Sequence, residues 1–342
     1  MKIGMISFTR QGFALAKKIE EKLKSIHTVN VSWCSKENQG EEVLLKDWSR
    51  EHFLEDDALI FVGAAGIAVR SIAPFVRDKL TDPAVLVIDE MGRFVIPILS
   101  GHVGGANALA EALAENFSAV PVLTTATDVN HRFAVDVFAE QNGLFIVNKA
   151  GIKTVSAKLL RGEEISFFSA GAVKGTLPYG VRELPNCSVE QVDFLISPFE
   201  EKRASLVLVP KVIVLGIGCK AGKSAAEIND FVELFLKNTK IRKEAIKAVC
   251  SIDKKKEESG ILIFCKKENL PFFTYSAEEL NALPGVFCAS AFVEKTVGVD
   301  NVCERAARKG CGENGKLIIK KCAGNGITLA AAMTDWSVSF DA

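Results

Sequence analysis

No apolar stretch in this sequence approaches the roughly 18 residues a membrane-spanning helix needs, which excludes a helical anchor of that kind. Charge of one sign is equally missing. Lys+Arg and Asp+Glu stand at 42 each, a balance that argues against a generic nucleic-acid binder. Histidine is scarce: His27, His52, His102 and His131 are all there is, and all fall in the first 131 residues. The nine cysteines form no Cys-x-x-Cys pair, and no histidine accompanies the eight that lie from Cys187 onward. A zinc site of ordinary spacing is therefore not expected. Reduced, mostly buried thiols are. The opening Met1–Phe8 is too short an apolar run for a secretory signal and lacks a small-residue cleavage pattern. The expectation is a cytoplasmic protein with no membrane and no nucleic-acid partner.

What is present is a chain of 342 residues, 48% apolar, enough for two or three domains with sizeable cores. Residues 1–130 carry 13 basic and 17 acidic side chains, net −4. Residues 211–342 carry 20 and 16, net +4. Short apolar runs alternate with helical patterns throughout, which is α/β grammar. Strands are expected at Lys2–Ser7, Val29–Trp33 and Ala58–Val62, with a helix near Gly12–Leu23. Val85–Ile88 and Phe94–Leu99 flank Asp89-Glu90-Met91-Gly92-Arg93 as a hairpin, with Pro97 marking an edge or bulge. Ala106–Phe117 reads as a strong helix, followed by a strand at Pro121–Leu123. Residues 131–210 are less regular. A new α/β unit begins at Val212, with strands expected near 246–250, 261–264, 286–288, 316–320 and 326–332 and helices near 224–237, 276–283 and 301–309. The architecture expected is two three-layer α/β domains with mixed sheets (1–130 and 211–342) joined by a smaller middle segment (131–210).

Four segments carry residues suited to chemistry. Gly63-Ala-Ala-Gly66-Ile-Ala-Val-Arg70 lies between a strand and a helix, where backbone N–H groups reach an anion and Arg70 can pair with a carboxylate; a packing turn is the alternative. Ser100-Gly101-His102-Val-Gly104-Gly105-Ala-Asn107 surrounds one imidazole with glycines, leaving it open for proton transfer; Asn107 either contacts a ligand or caps the helix. Thr124-Thr125-Ala-Thr-Asp128 follows a strand end, with an Asx turn or helix cap as the plainer explanation. Gly216-Ile-Gly218-Cys219-Lys220-Ala-Gly-Lys-Ser224 resembles a phosphate loop only loosely. Five residues separate Gly216 from the Gly-Lys-Ser and three separate Gly218, where a P-loop needs four. No acid stands about 20 residues on, outside the following helix, for a dinucleotide ribose. Ser224-x-x-Glu227 is a capping box. The segment is read as an anion-binding turn.

In their order these segments resemble the CbiG family. Gly63–Arg70, Asp82-Pro-Ala-Val-Leu-Val-Ile-Asp-Glu-Met-Gly92, Ile96-Pro-Ile-Leu-Ser-Gly-His-Val-Gly-Gly-Ala-Asn107 and Thr124–Asp128 are similar to its amino-terminal domain. Val147-Asn148 through Gly162 resembles its middle segment. Gly216-Ile-Gly-Cys-Lys220, with Leu317–Lys321 and Gly326–Ala331, resembles the carboxyl-terminal domain shared with stand-alone CobE proteins; Ala221 replaces a basic residue of that turn, with Lys223 as a substitute. The resemblance implies a cobalt-precorrin-5A hydrolase of the anaerobic route to cobalamin. Such an enzyme opens a δ-lactone and releases acetaldehyde. The cobalt belongs to a tetrapyrrole substrate, so no cofactor of the protein's own is expected, and contacts with neighbouring pathway enzymes would be transient. Lactone opening needs an activated water and a stabilised oxyanion; the substrate's acetate and propionate arms call for N–H groups and cations. The expected acid/base is His102, with Asp89, Glu90 and Asp128 orienting it or sharing its role. The expected substrate contacts are Gly63, Gly66, Arg70, Ser100, Gly101, Gly104, Gly105, Asn107, Thr124, Thr125, Gly216, Gly218, Cys219 and Lys220. The loops at 63–70 and 100–107 are expected on one side of their domain. A non-catalytic corrinoid carrier is the competing reading.

Overall fold

The computed structural model describes residues 1–35, 43–78, 81–101, 104–124, 133–184, 191–200 and 204–341. The chain divides into two compact units, Met1–Val137 and Phe138–Ala342.

The first unit contains β1 (Lys2–Ser7), α1 (Arg10–Leu23), β2 (Thr28–Trp33), α2 (Leu45–Glu55), β3 (Ala58–Val62), α3 (Ala65–Ile72), β4 (Ala84–Ile88), β5 (Phe94–Leu99), α4 (Ala106–Phe117) and β6 (Val120–Pro121). Its sheet runs β2-β1-β3-β4-β5-β6. The hairpin makes β5 antiparallel to β4 in an otherwise parallel set, so the sheet is mixed. The two central strands β3 and β4 are buried along their whole length, and their alternation feeds two cores. Ile60, Val62, Leu86 and Ile88 pack with Ala16, Ile19 and Leu113 from α1 and α4. Leu59, Phe61, Val85 and Val87 pack with Trp48, Phe53 and Ile72 from α2 and α3. This is the three-layer arrangement. Pro97 sits at a bulge: Val85 pairs with Leu99 and Leu86 with Pro97, leaving Ile98 extra, the position where a strand tolerates a missing N–H.

Among the described residues the second unit holds two five-stranded sheets and a two-stranded one. α5 (Val135–Gln141) leads into β7 (Leu144–Ile146), α6 (Ala150–Leu160), β8 (Ile165–Ser169), β9 (Ala172–Lys174), β10 (Val181–Glu183), β11 (Val192–Ile196) and β12 (Ala204–Pro210). The middle segment thus owns a five-stranded sheet, β10-β8-β11-β12-β7, with β7 antiparallel. Asn148 fastens it, donating to Ser205 O and accepting from Val207 N. Then come β13 (Ile213–Cys219), α7 (Ala225–Thr239), β14 (Ile246–Ile252), α8 (Ser259–Lys267), β15 (Phe272–Tyr275), α9 (Ala277–Asn281), α10 (Ala291–Val297), α11 (Val302–Gly310), β16 (Lys316–Gly324), β17 (Ile327–Met333) and β18 (Ser337–Ser339). The order β15-β14-β13-β17-β16 is again mixed. Val207 and Val209 of β12 share one apolar cluster with Ile213, Leu215 and Phe235, which is why the two sheets form one unit.

Two expected strands are corrected. Ile261-Leu-Ile-Phe264 is helical, within α8: Ile261, Phe264 and Cys265 are buried while Leu262 and Ile263 face out, a 3–4 spacing that four apolar letters cannot display. Residues 286–288 form no strand, and Val286 is 92% exposed. β15, unforeseen, takes the sheet edge instead.

The segment after β17 returns to the middle region, where it forms a separate two-stranded sheet. β18 pairs in parallel with β9. Asn142 donates to Ser339 O and accepts from Ser339 N. Phe340 stacks on Phe138 at 4.5 Å and tilts against Phe167 at 5.3 Å. The Trp336 indole lies where a side chain at Gly171 would be.

Candidate functional site

The parallel strands of the first unit deliver Phe8-Thr9, Gly63-Ala64 and Asp89-Glu90 to one end of the sheet. Gly63 has no room for a side chain: a Cβ would lie 2.9 Å from the Phe8 ring. Its N–H is already given to Ile88 O. Thr9 caps α1 by accepting from Gly12 N and donates its hydroxyl to Glu90 Oε1 at 3.0 Å. Asp89 closes the hairpin, accepting from Arg93 N, Phe94 N and Arg93 Nε at 2.6, 2.8 and 3.2 Å. Burial alone would raise the Asp89 carboxyl, but the hydrogen bonds from Phe94 and Arg93 outweigh it and hold it below the ordinary carboxylate value. A carboxylate so engaged is a poor proton acceptor and acts here as a turn former.

Beside this end lies a cavity of about 590 Å³, walled by Phe8, Ile67, Pro74 and Phe75, with Lys46 and Arg70 at its border. Gly66 is the second residue of α3, and the Arg70 guanidinium folds back over it, 3.6 Å from where a Cβ would stand. The amino end of α3 has no side-chain cap. Arg70 was expected from the sequence; Lys46, Phe8 and Phe75 were not, because Phe8, Lys46 and Arg70, set far apart along the chain, meet only through the fold.

The antiparallel β5 carries Ser100–Asn107 to the other end. Leu99 pairs with Val85, at the start of β4, whereas Gly63 and Asp89 follow the finish of β3 and β4. The separation along the strands is on the order of 13 Å. The expectation that the 63–70 and 100–107 loops share one side is therefore corrected, and Asp89 and Glu90 do not sit with Ser100, Gly101 and Gly104. The reason is the hairpin itself, which reverses chain direction before the glycine-rich loop begins. β6 runs parallel to β5 and puts Thr124 at the same end as Ser100. His102, Thr125 and Asp128 lie outside the described residues. Their neighbours form a tight wrap. Ser100 has φ 53°, accepts from Ala106 N at 3.2 Å, and Gly101 O accepts from Asn107 N at 2.9 Å. A Cβ on Gly101 would strike the Asn107 amide at 2.7 Å, and one on Gly104 would meet Ser100 Cβ at 2.3 Å. Gly105, with φ 78°, precedes α4. Ser100 Oγ is buried with no partner among the described residues.

A pair missed by the sequence reading sits at the foot of α2. His52 Nδ1 lies 2.5 Å from Asp56 Oδ2, Lys2 Nζ lies 2.9 Å from Asp56 Oδ1, and the Trp48 ring tilts against the imidazole at 4.5 Å. A Cβ on Gly4 would come within 2.6 Å of both His52 and Asp56, so β1 reserves the space. The i, i+4 spacing of His52 and Asp56 was the available signal.

In the second unit, Gly216 and Gly218 lie inside β13 rather than in a turn. Gly216 pairs with Cys250 and Ala330, and a Cβ on it would be 1.8 Å from Cys303 O of α11. Their reading as an anion-binding nest is corrected: they are packing glycines whose backbone belongs to the sheet. The turn proper is 220–224, and it is filled from within. Gly222 N donates to Glu258 and Ser224 N to Glu227. Lys223 Nζ lies 2.6 Å from Glu227, and Lys255 Nζ 2.6 Å from Glu258. Burial pushes the Cys219 thiol up, against the pull of Lys255, so it is a neutral thiol. Lys220 stands with Phe231, Asn325 and Gly326 at a second cavity of about 590 Å³.

Comparison with known proteins fits these regions in sequence. Family models described as Cobalamin synthesis G N-terminal, Cobalamin biosynthesis central region and Cobalamin synthesis G C-terminus match residues 47–128, 133–210 and 213–332. The chain is 35% identical to the cobalt-precorrin-5A hydrolase of Salmonella typhimurium over 89% of its own length and 90% of that protein. It is 35% identical to the one of Priestia megaterium over 80% and 78%. Over 121 residues it is 30% identical to Protein CobE of Sinorhizobium sp, covering 35% of this chain and 79% of that one. These matches define a protein of the cobalamin-synthesis G class. The chain belongs to the CbiG, or cobalt-precorrin-5A hydrolase, family.

Proposed function

We propose that this chain hydrolyses cobalt-precorrin-5A: water opens the δ-lactone, and the two-carbon fragment leaves as acetaldehyde, giving cobalt-precorrin-5B. The observation that carries the reading is the succession of all three family regions along one chain, together with relatives of that name that match it at 35% identity over 80–89% of its length. The cations Arg70 and Lys46 at an apolar cavity suit a carboxylate-rimmed macrocycle. Cobalt enters as part of the substrate, and the protein supplies no cofactor of its own. The work belongs to the cytoplasm, with any contact to neighbouring pathway enzymes transient. His102 is the proposed acid/base. The buried Ser100 hydroxyl and the Gly101–Asn107 wrap lie next to it in sequence.

Incubation with cobalt-precorrin-5A, followed by trapping of the volatile aldehyde and mass analysis of the corrinoid, tests the proposal. Acetaldehyde released in step with loss of substrate supports it. Tight corrinoid binding with no aldehyde would make the protein a carrier.

A further inference from the structure

We infer that Lys46 and Arg70 form a two-cation clamp that holds one carboxylate-bearing arm of the substrate at the mouth of the apolar cavity beside α2 and α3. The inference rests on the hydrolase reading for the identity of the substrate, but its residues and its selectivity stand on geometry. The two side chains come from different helices and border one cavity of about 590 Å³. Both are exposed, and neither has an ion-pair partner among the described residues.

The walls argue for an amphiphilic ligand. Phe8, Ile67, Pro74 and Phe75 offer apolar surface, and Val69 beyond them is 51% exposed. A simple inorganic anion gains nothing from such walls. A planar macrocycle edge or its methylene arms would bury against them while the terminal carboxylate meets the cations. Arg70 is preset for this. Its guanidinium lies over Gly66, near the amino end of α3, which has no side-chain cap, so its planar fork stands at the positive end of that helix. Any side chain longer than a methyl at position 66 would displace it. Asp47 adjoins Lys46 in sequence, but neighbours i and i+1 on a helix do not face each other.

The test uses the full chain and a stable cobalt corrinoid with free acid side chains, next to the same corrinoid as its methyl ester. Binding is read by fluorescence quenching or calorimetry. The acid form should bind the native protein at least about tenfold more tightly than the ester. Arg70→Ala and Lys46→Ala should each weaken the acid form about tenfold and leave the ester unchanged, and the double variant should bind both forms alike. Arg70→Lys should recover part of the loss. Added salt should weaken the native complex and not that of the double variant. Unchanged melting temperatures keep misfolding apart from lost contacts, since both side chains are exposed. Equal affinity of the double variant and native protein for the acid form would overturn the inference. The aldehyde assay reports separately: native protein that makes acetaldehyde while the double variant binds normally sinks the clamp and leaves the hydrolase; acid-selective binding through Lys46 and Arg70 without aldehyde does the reverse.

Discussion

Gly216→Ala should destabilise the second unit strongly while leaving ligand contacts intact. The alanine Cβ would stand 1.8 Å from Cys303 O and 2.7 Å from Ala307 N. A carbon–oxygen contact needs about 3.3 Å, so α11 must withdraw from β13 by about 1.5 Å. A gap of that size forfeits more than half the dispersion energy between facing atoms. The helix face concerned carries Val302, Ala306 and Ala307, packed against Val214, Cys250 and Ala332. The backbone on both sides is fixed by sheet and helix bonds, so the strain cannot be relieved by a side-chain rotation. A cost of about 3 kcal/mol follows, at the upper end for an overpacked core, equivalent to roughly 6–12 °C in melting temperature for a unit of this size. Gly218→Ala is the internal comparison. Its nearest obstacle is Thr328 Oγ1 at 2.7 Å, a hydroxyl that can turn away, so about 1 kcal/mol is expected. Scanning calorimetry with urea denaturation measures both. A Gly216→Ala protein that melts with the native one, or that folds normally but loses affinity for a corrinoid acid, would refute the packing argument and return Gly216 to the ligand.

Phe340→Ala, which removes the ring stacked on Phe138 and tilted against Phe167, should cost about 3 kcal/mol and raise the hydrogen exchange of β9 and β18 before that of β13. Hydrogen bonds from Lys223, then Ser224, bring the Glu227 carboxyl from 4.5 to about 2; its contribution to stability is full above pH 4.5 and lost as pH falls toward 2, and Glu227→Gln should abolish that part of the acid dependence in equilibrium unfolding. His102→Ala should lower turnover by roughly 10²–10⁴ with little change in substrate affinity, if the imidazole moves a proton in the transition state; steady-state aldehyde release paired with a binding isotherm separates a proton-transfer role from a contact role.

Strand and helix positions in the first unit were largely readable because its apolar runs are short and bounded by glycine, and its hairpin carries turn residues between two β-branched stretches. The same hairpin hid the arrangement of the candidate site. Reading Gly63 and Ser100 each as the residue after a strand treats them alike, yet the reversal at Gly92 sends them to opposite ends of the sheet. Ile261–Phe264 was misread for lack of length, since four apolar residues fit period 2 and period 3.6 equally. Gly216 and Gly218 looked like a loop because glycine in a strand is rare; Gly216 answers to the backbone of α11, almost 90 positions later, and Gly218 to Thr328 of β17, and no local pattern records either. Lys46 escaped notice for the same reason. Nothing in Leu45-Lys46-Asp47 marks a site until Phe8 and Arg70 stand beside it.

The return of β18 to the middle region, where it pairs with β9, has a consequence for synthesis. The rings of Phe138 and Phe167 and the surface at Gly171 receive their cover from Trp336 and Phe340, which leave the ribosome about 130 residues after β12. At roughly 5–20 residues per second, the middle sheet waits on the order of ten seconds with that apolar surface bare. The match to the family's carboxyl-terminal region stops at residue 332, before the segment that ends this wait. Vectorial folding of the middle region is therefore governed by residues made about 130 positions later, and a ribosome stalled between β12 and β18 would hold it in its most aggregation-prone form.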